Sequence, residues 1–232
     1  MSVQRTARAR VRAEMIAEIK KVARDQVATA GAAALSLRAI ARELGMVSSA
    51  VYRYFPSRDD LLTALIIDSY DALGAAVERA DARAVRDDHA GRWAVACRAI
   101  RGWAVANPHE YALLYGSPVP GYRAPQDTIP AATRVSAVLA GIVRDAVAAG
   151  AVGQPASAIQ LPGGFAADAA RLRDALMDGV PDGLVARSLL AWTAVFGMVS
   201  FELFGHLNNV VTDYAEAFDH QMRELAGFVG LT

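Results

Sequence analysis

The tightest constraint in this sequence is a pair of short apolar-patterned segments divided by Gly45 and closed by Pro56. After Ser36, a good helix N-cap, Leu37, Ile40, Ala41 and Leu44 recur at helical spacing. A second run spans residues 47–55, with Ala50, Val51 and Phe55 as its apolar face. Each run is about nine residues, below the roughly 12–15 that an isolated helix needs in water, so neither stands without packing. Two short helices joined by a tight glycine turn have helix-turn-helix spacing. A surface helical hairpin has the same spacing, so spacing alone leaves both readings open.

The remaining chain is patterned for helices throughout. Residues 1–10 are polar and Arg-rich, lack periodicity, and read as a flexible arm. Met15, Ile16, Ile19, Val22, Ala23 and Val27 mark a first helix that ends near Gly31. Ser57 opens a long helix, with Asp60 placed for a capping box and Leu61, Leu62, Leu65, Ile66 and Leu73 on its inner face. Further helices are expected at about 87–106, 108–115, 128–149, 165–177, 184–207 and 212–227, with Gly and Pro at the breaks. Strand alternation and internal repeats are not evident. The expected fold is all-α, with an arm and three-helix domain over residues 1–56 and a helical bundle over residues 57–232.

Hydrophobic residues make up 54% of the 232, enough for a sizeable core and too many for a disordered chain. The longest apolar stretch, Ser188 to Phe201, is shorter than the roughly 20 residues of a membrane-spanning helix. The basic N-terminus is not followed by the apolar core of a signal peptide. The single Cys97 excludes an internal disulfide, so a cytoplasmic protein is expected, without a membrane partner. Among apolar neighbours, Cys97 reads as an inert core thiol rather than a redox sensor. The net charge is zero but unevenly placed. Residues 1–60 hold eleven Lys and Arg against six Asp and Glu, a balance of +5; the remainder holds thirteen against eighteen, or −5. A basic head on an acidic body sets its positive field against a phosphate backbone at one end. Nucleophile-elbow, P-loop and dinucleotide motifs are absent, and Glu202 with His206 is too small a set for a metal, so no catalytic residue, cofactor or metal is expected.

The second short segment crowds Ser48, Ser49, Tyr52, Arg53 and Tyr54 onto its polar face, the groups that reach phosphates and base edges. The run Leu35-Ser36-Leu37-Arg38-Ala39-Ile40-Ala41-Arg42-Glu43-Leu44-Gly45, followed by Ala50-Val51-Tyr52-Arg53-Tyr54-Phe55-Pro56-Ser57-Arg58-Asp59-Asp60-Leu61-Leu62, resembles the TetR-family signature. The resemblance implies a homodimeric transcriptional regulator. Its N-terminal helices bind double-stranded operator DNA, its C-terminal helices bind a small effector and dimerise, and ligand commonly relieves repression. Position by position, it implies that Arg38 contacts a base, that Ser48 and Ser49 face bases, and that Tyr52, Tyr54 and Arg58 meet phosphates. Val47 departs from the family, which often places a capping Ser or Thr there; Ser48 is the alternative cap. Because the residues offered to bases are small, Arg38 and the arginines of the arm are expected to supply part of the specificity through the minor groove.

The body holds Trp93, Trp103, Tyr111, Tyr115, Phe165, Trp192, Phe196 and Phe201, a set that either lines an apolar cavity or fills a core. Residues 191–203 are similar to the WHG subgroup of TetR C-terminal domains, with Trp192 and Gly197 in place and Phe196 where that subgroup has His. Glu202 reads either as a polar anchor in a pocket or as a salt-bridged carboxylate. The last two helices are the expected dimer interface, and the effector is expected to be apolar or aromatic. The competing reading is a helical binding protein or enzyme that keeps a basic helix-turn-helix.

Overall fold

The computed structural model describes residues 2–153 and 160–231, with side chains described from Ala7 onward. Those residues form α1 (Ser2–Ala30), α2 (Leu37–Glu43), α3 (Ser48–Tyr52), α4 (Arg58–Arg83), α5 (His89–Ala106), α6 (Pro108–Tyr115), α7 (Ile129–Ala132), α8 (Arg134–Ala148), α9 (Gly163–Leu176), α10 (Asp182–Leu203) and α11 (Tyr214–Phe228). Short 3-10 turns sit at Ala32–Ala34 and Gln126–Thr128. The extended pairing described is one antiparallel bridge, Val152 to Leu231. The chain is all-α, as its periodicity requires.

Two compact units emerge: Met1–Tyr70 with His109–Ile129, and Asp71–Pro108 with Pro130–Thr232. The division differs from the boundary expected after residue 56. Leu61, Leu62, Leu65 and Ile66 of α4 share one core with Ile19, Ile40, Val51 and Phe55, so the first turns of α4 belong to the first unit. Leu113 and Leu114 of α6 pack on the same core, which draws residues 109–129 into that unit.

Local chemistry accounts for the elements of the first unit. Ser36 caps α2 by accepting from the Ala39 N–H at 3.3 Å, and Gln26 Oε1 accepts from the Ser36 N–H. Gly45 adopts φ +65°, a left-handed conformation that costs glycine little. There it closes α2: the Gly45 N–H donates to Arg42 O and the Met46 N–H to Ala41 O, the paired bonds of a Schellman stop. That turn sends the chain back across α2 as α3. Ser57 donates to Asp60 Oδ2 and accepts from the Asp60 N–H, starting α4. Lys20 pairs with Asp68 at 2.8 Å and ties α1 to α4.

The N-terminus departs from expectation. Residues 2–10 continue α1 instead of forming a flexible arm. Arg, Ala and Gln are good helix formers, so the segment extends an existing helix without the cost of nucleation. The Arg5 side chain lies outside the described residues.

In the second unit, α10 packs on α5, α8, α9 and α11, and α11 packs on α5. Trp93, Ala96, Cys97 and Ile100 on α5 are fully enclosed or nearly so. Arg92 is 4% exposed and donates to Asp81 and Asp145 at 2.8 Å each, joining α4, α5 and α8. Arg134 donates to both Glu78 oxygens, to Asp71 Oδ1 and to Asp71 O. A Cβ on Gly74 would lie 2.8 Å from Arg134 Cβ, so glycine there admits α8 against α4. The helix expected over 128–149 is interrupted at Thr133, whose hydroxyl donates to Pro130 O. By length and composition α10 could cross a membrane, a longer apolar helix than the sequence reading allowed. It carries Asp182, Arg187 and Glu202, and one of its faces is built into the bundle. Its other face leaves Leu190 and Phe201 more than half exposed. Leu190, Ala194, Gly197, Phe201 and Phe204 follow one another at spacings of four and three, a single stripe. At its centre, a Cβ on Gly197 would meet open space.

Candidate nucleic-acid interface and ligand cavity

Helix α3 separates two kinds of side chain. Val51 is fully buried and fixes the helix on the core; Ser48, Ser49, Tyr52 and Arg53 are exposed. Arg38, near the start of α2, is exposed as well. These are neutral and cationic donors carried on a rigid pair of helices, the format that reads base edges and phosphates. Val47 occupies the N-cap in extended conformation with no side-chain bond, and Ser48 does not take over the cap because it already lies inside the helix. Tyr54 is half-buried, and the Arg12 guanidinium lies over its ring at 5.1 Å from the centroid. Arg8 and Arg12, both exposed, are one turn apart on α1, which continues the positive surface beyond the helix-turn-helix. Sequence reasoning assigned Arg8 to an arm, left Arg12 in the first helix and missed the Arg12–Tyr54 pair; their shared signal was only positive charge.

Arg58 is placed differently from its neighbours. Its Nη2 donates to Ala32 O at 2.8 Å and to Ala33 O, and its Nη1 pairs with Asp59. The guanidinium therefore clamps the turn between α1 and α2, and its Nε is buried without a partner among the described residues. It orders the helix-turn-helix from behind rather than standing with the exposed donors.

The second unit holds a cavity of about 220 Å³ between α5, α8, α9 and α10. Trp93 and Trp192 face it with Leu139, Leu172, Leu176 and Met177. Thr133, Ser136 and Ser188 supply hydroxyls, and Ser188 already donates to Leu184 O. Leu172 and Leu176 are one turn apart on α9, as are Ser188 and Trp192 on α10, so helical spacing held the signal for these walls.

The other expected ligand residues lie elsewhere. Phe165 lines a separate apolar groove with Leu190 and Phe228. Phe196 is buried and packs on the Trp192 ring at 5.5 Å. Trp103 is half-buried one helical stretch beyond Trp93, with its carbonyl accepting from Asn107. Tyr111 and Tyr115 belong to the first unit, their rings tilted with centroids 5.0 Å apart, and Tyr70 lies T-shaped to Tyr115 at 6.2 Å. Burial pushes the Tyr115 hydroxyl up, with Tyr70 and Tyr111 adding to the shift. Glu202 does not face the cavity: Arg101 grips it through two bonds of 2.7 and 2.6 Å, the salt-bridged alternative. Cys97 is fully buried and its thiol is pushed up by desolvation, as an inert core thiol should be.

Comparison with known proteins matches two regions of the chain. The sequence profile of "Bacterial regulatory proteins, tetR family" matches residues 19–65, and that of "Tetracyclin repressor-like, C-terminal domain" matches residues 93–225. The chain is 45% identical over 218 residues to the HTH-type transcriptional regulator Rv1816 of Mycobacterium tuberculosis, covering 92% of each. The HTH-type transcriptional regulator Mb1846 of Mycobacterium bovis matches to the same extent. Among solved structures, SCO4313 superposes with a TM-score of 0.77 at 37% identity, over 94% of this chain and 98% of that one. A tetR-family regulatory protein from Rhodococcus RHA1 shares the fold at a TM-score of 0.63 and 18% identity, over 94% and 97%.

Proposed function

The chain belongs to the TetR family of DNA-binding transcriptional regulators, and from that membership we propose that it is a homodimeric repressor of a palindromic operator, released by a small apolar or aromatic effector. The observation that carries the reading is the two-sided α3, with Val51 fully buried behind exposed Ser48, Ser49, Tyr52 and Arg53. Arg38 reads a base edge. Ser48 and Ser49 make short base or phosphate contacts, and Tyr52, Arg53 and Tyr54 anchor phosphates. Arg58 contributes by holding the turn, with any phosphate contact made from the solvent side of its guanidinium. The arginines of α1 bind phosphate as a rigid row instead of threading the minor groove, because a helix is too wide for that groove.

The apolar stripe on α10 pairs with its own copy, so that α10 and α11 of both protomers form a four-helix bundle. Such a dimer sets its recognition helices about 34 Å apart on one DNA face. Effector in the cavity of the second unit favours a conformation with the wrong spacing and so weakens DNA binding. The test is a mobility-shift titration with duplexes from the flanks of the chain's own gene. The intact protein should bind one of them at low salt. Arg38→Ala should weaken binding by roughly tenfold to a hundredfold, the worth of one good base contact. Failure to bind any such duplex at low salt would sink the reading.

A further inference from the structure

The cavity in the second unit specifies its occupant more narrowly than apolar or aromatic. No Asp, Glu, Lys, Arg or His lines it among the described residues. A charged ligand would lose its water there with no counter-charge to replace it. The size is equally restrictive. A cavity of about 150 Å³ takes benzene, so one of about 220 Å³ takes a single ring with a short substituent. Fused ring systems and long chains would extend beyond this volume.

One buried polar atom in the lining lacks a partner. Trp93 is 1% exposed, and its indole N–H has no acceptor among the described residues. A buried donor in this state costs free energy that an incoming acceptor restores, and indole nitrogen can only donate. The hydroxyl of Ser188, which donates to Leu184 O at 2.8 Å, does not compete for that acceptor.

We propose that the cavity binds an uncharged, single-ring-sized molecule bearing a hydrogen-bond acceptor, and that the Trp93 indole N–H is the donor that selects it. The proposal rests on the reading of the second unit as the effector-binding body, and it adds the charge, the size and the selecting residue. The full-length protein is titrated by calorimetry and thermal shift with acetophenone, ethylbenzene, which lacks the acceptor, and benzoate, which adds a charge. Acetophenone should bind saturably, one molecule per chain, with benzoate at least about tenfold weaker. Trp93→Phe should cost acetophenone about tenfold, one hydrogen bond's worth of affinity, and leave ethylbenzene unchanged. Ala140→Phe, which fills the cavity from α8, should abolish binding of both neutral probes while the helical circular dichroism is kept.

Four results overturn the proposal: no saturable binding of either neutral probe, benzoate binding as tightly as acetophenone, equal losses for both neutral probes in Trp93→Phe, or acetophenone binding that survives Ala140→Phe. Release of DNA is read separately, by adding acetophenone to the operator complex. Binding without release upholds the chemistry of the cavity and rejects the effector reading alone.

Discussion

Arg92 illustrates how single residues hold the second unit together. Its guanidinium is nearly enclosed and bridges Asp81 and Asp145, so three helices meet on one cation. Removing one partner of a buried pair strands the other, and Arg92→Met should lower stability by about 3 kcal/mol in denaturant unfolding. Burial alone would raise the Asp81 carboxyl, but hydrogen bonds from Arg92 and Arg86 outweigh it and hold the group below its ordinary value. A lowered carboxylate contributes stability that is fully present above its unfolded value of about 4 and is lost as pH falls through its folded value. The thermal midpoint should therefore drop between pH 5 and pH 3 by less in Asp81→Asn than in the parent protein. On the proposed DNA-binding surface, Arg12→Ala should weaken binding to all sequences alike and reduce the salt slope by about one. Residue roles were legible where the chemistry was local: Ser36 and Gly45 act on backbone within a few positions. The role of Arg58 was not, because its acceptors on Ala32 and Ala33 lie a whole helix-turn-helix away in sequence.

The helices show the same contrast between local and distant causes. Helix α6 follows its expected bounds because Pro108 starts it and Gly116 follows it. The cavity walls were mostly missed, since α8 and α9 offer Leu, Ala, Ser and Met that no composition rule separates from core. Aromatic content drew the prediction toward Tyr111 and Tyr115, which fill the other unit. Two elements invite a change of sequence. Val47 caps α3 with no acceptor and is 71% exposed, so Val47→Ser removes no core contact and adds a bond to a free N–H at the helix start. It should raise stability by about 0.5–1 kcal/mol in thermal or denaturant unfolding. Helix α8 holds cavity residues Ser136 and Leu139 next to Arg134, which grips α4 through Glu78 and Asp71. Arg134→Met should leave effector and DNA affinities, each measured alone, within a few-fold. Under the proposed release by effector, the loss of DNA affinity on adding it should shrink, because binding at one site then biases the other less.

At the scale of the whole molecule, class and family were readable before any coordinate. Helical periodicity runs the length of the chain, and the helix-turn-helix residues sit together in sequence. The division into units was not readable, since α4 serves both and residues 109–129 return to the first through contacts distant in sequence. The α10 stripe extends the account to the proposed dimer. Phe201, 54% exposed, stands in that stripe beside the open face of Gly197. Phe201→Glu should sediment as a monomer at micromolar concentration with its helicity intact. Its operator affinity should fall sharply, since two half-sites would no longer be bound through one linked pair.

The lone sulfhydryl of Cys97 gives this protein a chemical reporter of its own. It lies one turn from Trp93 on α5, wholly enclosed. A thiol reagent meets it only when the bundle opens, so the modification rate tracks that opening. With no second cysteine to confuse the signal, that rate should slow in proportion to cavity occupancy. An unknown effector could then be recognised by how long it keeps the sulfur hidden.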